Sequence, residues 1–176
     1  SATDSTPVDT APTTDEDPAP PGTEDETVET DIPERVVSLS PTATEMMFAI
    51  GAGDLLVAVD DNSNYPAEAL ELPNDLSGFE PDIEAIAAND PDLVLIGGDF
   101  TELGPRLDEL GIAWWDGPAA ESFDDVYTQI EQLGAATGNI GEAAELVSSM
   151  QTQIDELAAA VTETEVPLTY YHELDP

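Results

Sequence analysis

The sequence predicts an α/β protein: an open parallel sheet flanked by helices, with a long helix after it and an acidic leader before it. Three observations carry this expectation. Between Arg35 and Gly138, short apolar runs alternate with helical segments that have their own start and stop signals. Two of the runs, Leu55 to Val59 and Leu93 to Ile96, are apolar at every position rather than every second one, as expected of strands covered on both faces. Finally, Glu142 to Val161 keeps helical apolar spacing with no Gly or Pro inside.

Taken in order, Arg35 to Leu39 is a β-branched run closed by Ser40-Pro41. Thr42 and Glu45 form a T-x-x-E capping box, which predicts a helix through Met46 to Ile50, ended by Gly51. Leu55 to Val59 is the second strand. Asp82 is placed to cap a short helix over Ile83 to Ala88, in which Ile83, Ile86 and Ala87 share one face and Glu84 points outward on another. Asp90-Pro91-Asp92 leads into the third strand. Thr101 to Leu110 reads as a helix ended by Gly111, Ile112 to Trp115 as a strand, and Ser122 to Thr137 as a helix ended by Gly138, with Ser122 and Asp125 as a further capping-box signal. This alternation predicts right-handed βαβ units with helices on both faces of the sheet.

The long segment breaks the rhythm. Ala143, Leu146, Val147, Met150, Ile154, Leu157, Ala158 and Val161 fall on one helical face. At about 1.5 Å per residue such a helix is about 30 Å long, enough to bridge two lobes. Pro167 then opens a β-like run from Leu168 to His172. The expected organisation is therefore a disordered linker over residues 1–33, an α/β lobe over 34–141, an inter-lobe helix over 142–165, and over 166–176 the first strand of a second lobe that the sequence does not contain.

Composition narrows the function classes. Residues 1–34 hold 11 acids, six prolines and no basic residue, too little apolar surface to offset the entropy of ordering, so an extended tether is expected. The whole chain has 40 acidic residues against Arg35 and Arg106, a net charge of −38. Such a surface repels nucleic acid and anionic lipid head groups. The acids are spread over every element and form no D-x-D-x-D-G loop, so they are read as a solvated surface rather than a calcium site. With no cysteine, disulfide, thiol and Cys-based metal chemistry do not enter. No Ser, His and Asp stand at nucleophile-elbow spacing, no Gly-rich phosphate loop follows a strand, and no H-E-x-x-H occurs, which argues against an enzyme.

Four pieces of the sequence, RVVSLSPTATE, VAVDDNSNYP, SGFEPDIEAI and NDPDLVLI, in this order and followed by LGIAWWDGP and the long helix, resemble the substrate-binding proteins of ABC importers for cobalamin, haem and ferric siderophores. The likeness covers Pro33 to Pro176 and implies a periplasmic-binding-protein-like fold of two lobes joined by one long helix. It also implies a metal chelate held between the lobes, delivery to a membrane permease, and an extracytoplasmic location. The leader then resembles a lipoprotein linker, with an anchoring cysteine expected just before Ser1 and no other membrane contact.

In open parallel sheets ligands sit beyond the carboxyl ends of the strands. Those ends offer Ser40 to Thr42, Asp60 to Asn62 with Tyr65, Gly78-Phe79, Gly97-Gly98-Asp99, and Asp116. From these, Asn62, Tyr65, Phe79, Gly97, Gly98 and Asp99 are the candidate ligand contacts. In the family, loops matching Asn62, Phe79 and Gly97 carry aromatic contacts in cobalamin binders; this sequence departs at Asn62 and Gly97 and keeps an aromatic at Phe79. The resemblance also implies that Glu84 docks into a basic pocket of the permease. His172, the single histidine, invites an axial-ligand reading for haem iron or corrinoid cobalt, against the ordinary structural role of a lone histidine on a strand. The second function class is a non-catalytic acidic module, surface-anchored, with an interaction or structural role. It accounts for leader and charge but not for the strand-end loops.

Overall fold

The computed structural model describes residues 32–161. The leader, the 166–176 strand and His172 therefore concern residues that lie, apart from Ile32 and Pro33, outside the described ones. Four strands, β1 (Val36–Ser38), β2 (Leu56–Val59), β3 (Leu93–Ile96) and β4 (Ala113–Asp116), form one all-parallel sheet in the order β2-β1-β3-β4. Val37 pairs with Ala58 on one side and Val94 on the other, and Val94 pairs with Trp114.

The continuous apolar runs are explained by burial on both faces. Along β1, Val36 joins one core and Val37 the other; along β3, Leu93 and Leu95 face one way and Val94 and Ile96 the other. The first core is completed by Met46, Met47 and Ile50 of α1 (Pro41–Ala49), by Tyr127, Ile130 and Leu133 of α4 (Phe123–Thr137), and by Ala143 and Val147 of α5 (Ile140–Ala160). The second is completed by Ile86 of α2 (Ile83–Ala87) and by Leu103 and Leu107 of α3 (Leu103–Leu110).

Two helix starts differ from expectation. α1 begins at Pro41, and its cap is Ser40, whose hydroxyl accepts from Ala43 N–H at 3.3 Å. The Thr42 and Glu45 box is not used: Ser40 already supplies the cap, and Pro at the first helical position has no N–H to satisfy. α3 begins at Leu103 rather than Thr101 because Asp99 reaches forward to its first amides, Leu103 N–H at 2.6 Å and Gly104 N–H at 3.3 Å. The other two expected caps are present. Asp82 accepts from Glu84 N–H at 2.9 Å, and Ser122 and Asp125 form the reciprocal capping box of α4.

The long helix divides in two. Asn139 Nδ2 donates to Ile50 carbonyl at 3.0 Å, and Ala143 and Val147 are buried against the lobe. Farther on, Leu157 is 69 % exposed although it continues the same apolar face. Among the described residues no helix is long and apolar enough to cross a membrane.

Candidate ligand-binding site

The strand order places the switch point between β1 and β3, whose connections leave in opposite directions along the sheet. A crevice forms where such connections part, beyond the carboxyl ends of the strands. Here it is a concavity of about 510 Å³. β1 contributes Leu39 to Thr42, the β2 exit Asp60 and Asn62, the next loop Gly78 and Phe79, the β3 exit Gly97, Gly98 and Phe100, and the β4 exit Gly117 to Ala120.

Beneath it runs a buried polar chain that reaches the lining at Asp60. Thr44 Oγ1 lies 2.8 Å from Ser38 Oγ and 2.9 Å from Ser63 Oγ, and the Ser63 hydroxyl donates to the Asp60 carboxylate. Ser38, Thr44, Ser63 and Asp60 are all at most 2 % exposed. Hydroxyls are needed here because the β1 and β2 chain ends leave the sheet and carry polar groups into a region closed to water. No Lys or Arg lines the concavity, and the one acidic residue that lines it is Asp60. Gly78 lets its loop press onto β1: a Cβ there would lie 2.4 Å from the Leu39 carbonyl oxygen.

The strand-end candidates separate into three groups. Asn62, Phe79, Gly97 and Gly98 line the concavity together, and Phe79 is 80 % exposed. Tyr65 is exposed but lies outside its lining. Asp99 also lies outside, beside a smaller niche, with both carboxylate oxygens accepting from the first turn of α3. Asp116 is likewise engaged, accepting from Gly98 N–H at 2.8 Å and so tying the β3 exit to β4. Glu84 is exposed on α2, away from the concavity.

Several lining residues were not among the candidates. Phe100, one residue beyond the candidate Gly97-Gly98-Asp99 run, lines it as well, and an aromatic so close to a strand-exit Gly-Gly is a signal legible in the sequence. Pro118 to Ala120 are held in place by Gln129 of α4, whose Nε2 donates to Pro118 carbonyl at 2.7 Å; nothing in the sequence marks that glutamine. At the start of α4, the Ser122 hydroxyl and then the Glu121 N–H hold the Asp125 carboxyl below its ordinary value. Among the described residues no three His, Cys, Asp or Glu side chains gather to hold a metal ion.

The sequence profile described as periplasmic binding protein matches residues 36–176. The chain belongs to the periplasmic binding protein family. The vitamin B12-binding protein of Vibrio cholerae serotype O1 is 38 % identical over 109 residues, 60 % of this chain and 39 % of that protein. The ABC transporter substrate-binding lipoprotein YvrC of Bacillus subtilis is 33 % identical over 110 residues, 60 % of this chain and 35 % of that protein. Among solved structures, the periplasmic heme binding protein HutB of Vibrio cholerae superposes with a TM-score of 0.67 at 28 % identity, covering 74 % of this chain and 51 % of that one. This periplasmic binding protein thus spans about two fifths of the length of the curated relatives it matches. Those relatives are binding proteins and not enzymes, and the parallel sheet flanked by helices is the architecture of the family.

Proposed function

We propose that this chain is the ligand-binding first lobe of an extracytoplasmic, lipid-anchored substrate-binding component of an ABC importer. It holds a metal chelate against a second lobe and delivers it to the membrane permease. The observation that carries this reading is the concavity at the β1–β3 switch point, walled by exposed aromatic and backbone surface rather than by catalytic groups. Relatives named for vitamin B12 and for heme support a corrinoid, haem or related ferric chelate as the ligand class. The absence of lining cations favours a chelate that presents a neutral or cationic face to this lobe. The uncovered second half of α5, with Leu157 at 69 % exposed, supports its role as the inter-lobe helix.

Delivery is assigned to Glu84, held outward on the capped helix α2 and clear of the concavity. In the full-length protein, Glu84→Arg is expected to reduce chelate uptake by cells at least tenfold while leaving chelate affinity in solution unchanged. An equal loss of affinity overturns the docking role. A full-length protein that binds none of cyanocobalamin, haemin and a ferric hydroxamate overturns the ligand class itself.

A further inference from the structure

An arginine that bonds backbone carbonyls stands out in a chain with 40 acidic residues and only two arginines. Arg35 donates from Nε to Asp90 carbonyl at 2.9 Å and from Nη2 to Asn89 carbonyl at 2.5 Å. Both carbonyls belong to the turn that ends α2, where Asp90 takes the left-handed conformation with φ of 51° and Asn89 Nδ2 donates back to Ala85 carbonyl at 3.0 Å.

α2 has five residues, too few to repay the cost of helix nucleation, so its place is set by what it is tied to. At its start Asp82 accepts from Glu84 and Ala85 N–H. In its middle Ile86 is fully buried in the second core. Apolar burial has no direction, so it sets how deep the helix sits but not its rotation, and rotation decides where Glu84 points. Hydrogen bonds are directional, and those from Arg35 join α2 to the root of the sheet. Arg35 directly precedes β1, and its own N–H donates to Asp92 at 3.1 Å, the residue before β3. β1 and β3 are the two central strands, so the side chain that holds α2 starts from a backbone position fixed at the middle of the sheet. A planar guanidinium carries several N–H groups in a rigid fork and holds two carbonyls at once, which the single ammonium of lysine does not reproduce in a fixed geometry.

We propose that Arg35 is a positioning residue for permease docking: it fixes the carboxyl end of α2, and through that helix the place of Glu84. The inference rests on Glu84 being the docking acid. A carboxylate carried on a helix tied at both ends loses less freedom when it docks than one on a helix free to turn, so the tie adds to docking without touching the permease.

The test combines uptake of cyanocobalamin or haemin by cells, normalised to folded full-length protein, with hydrogen exchange of the purified full-length protein. Arg35→Ala is expected to lower uptake about fivefold, as loss of exposed hydrogen bonds allows, with chelate affinity in solution unchanged. Arg35→Lys recovers only part of the loss. In a Glu84→Ala background, Arg35→Ala is expected to lower uptake no further, because the residue acts through Glu84. The Ile86 and Ala88 amides of the α2 turn should exchange faster in Arg35→Ala while those of β1 and β3 do not. Unchanged exchange in α2 overturns the proposal whatever the chelate. Wild-type uptake in Arg35→Ala overturns it while Glu84 docking stands, and an equal fold loss with and without Glu84 overturns it because the effect then runs through folding alone. Full uptake by Glu84→Ala overturns the docking reading and this inference together.

Discussion

The two ends of the sheet solve opposite problems with the same acidic sequence. At the amino end, before β1 and β3, charge is closed on itself. Arg35 donates from Nε to Asp90 carbonyl at 2.9 Å and from Nη2 to Asn89 carbonyl at 2.5 Å, at the carboxyl end of α2, where a cation also suits the helix dipole. Asp92 accepts from the N–H groups of Glu34 and Arg35. At the carboxyl end the Asp60 carboxylate has only hydroxyl and amide partners, and the rings of Phe79 and Phe100 stand open. One of the two cations in the chain is thus committed to the closed end and none reaches the open one. The first end closes its polar groups on themselves; the second leaves aromatic surface open, where we propose that the ligand sits.

Removing Asp60 should break this contrast most strongly. Asp60→Ala leaves the Ser63 hydroxyl without its acceptor in a buried site and is expected to cost about 2 kcal/mol of stability, read as a shifted urea midpoint. Chelate binding should fall with it, because Asp60 lines the concavity and anchors the hydroxyl chain beneath it. Arg35→Ala should act only at the closed end, costing about 1 kcal/mol because its hydrogen bonds are exposed, with chelate affinity unchanged. If Arg35→Ala weakens binding as much as Asp60→Ala does, the two ends are not separate and the comparison fails.

The smallest effect concerns an exposed acid near the open end. Asp125 has a folded-state pKa below its ordinary value of 3.8, through the Ser122 hydroxyl first and the Glu121 N–H next. A depressed carboxyl stabilises above the unfolded-state pKa, and that contribution is lost as pH falls through the lower folded value. Asp125→Ala should therefore lower Tm near about pH 6, with the difference from wild type closing below pH 3.8. A gap of constant size across that range points to lost helix geometry rather than to the ionised cap.

Much of the lobe was legible in its sequence because the signals are local. The capping residues Asp82 and Ser122 and the stops at Gly51, Gly111 and Gly138 act within one turn of chain, and all occur where expected. Where a local rule failed, two local rules competed: Ser40-Pro41 outbid Thr42 with Glu45 for the start of α1. Asp99 shows the same limit at the site, since a strand-exit acid can meet either a ligand or the next helix, and here it meets the helix. Phe100 and Gln129 were missed for a different reason. Their importance lies in what they approach across space, Gly98 and Pro118, and periodicity carries no information about that.

The sequence alone determined where the four strands and the five α-helices of the described residues lie, that β3 is buried on both faces, and that Glu84 is exposed, because each depends on spacing within a few residues. Only the tertiary structure decided the order β2-β1-β3-β4, and with it the crevice between β1 and β3 that gathers Asn62, Phe79, Gly98 and Phe100. Strand order is set by which apolar faces pack together over long sequence separations, so the site it creates cannot be read from any one stretch of chain.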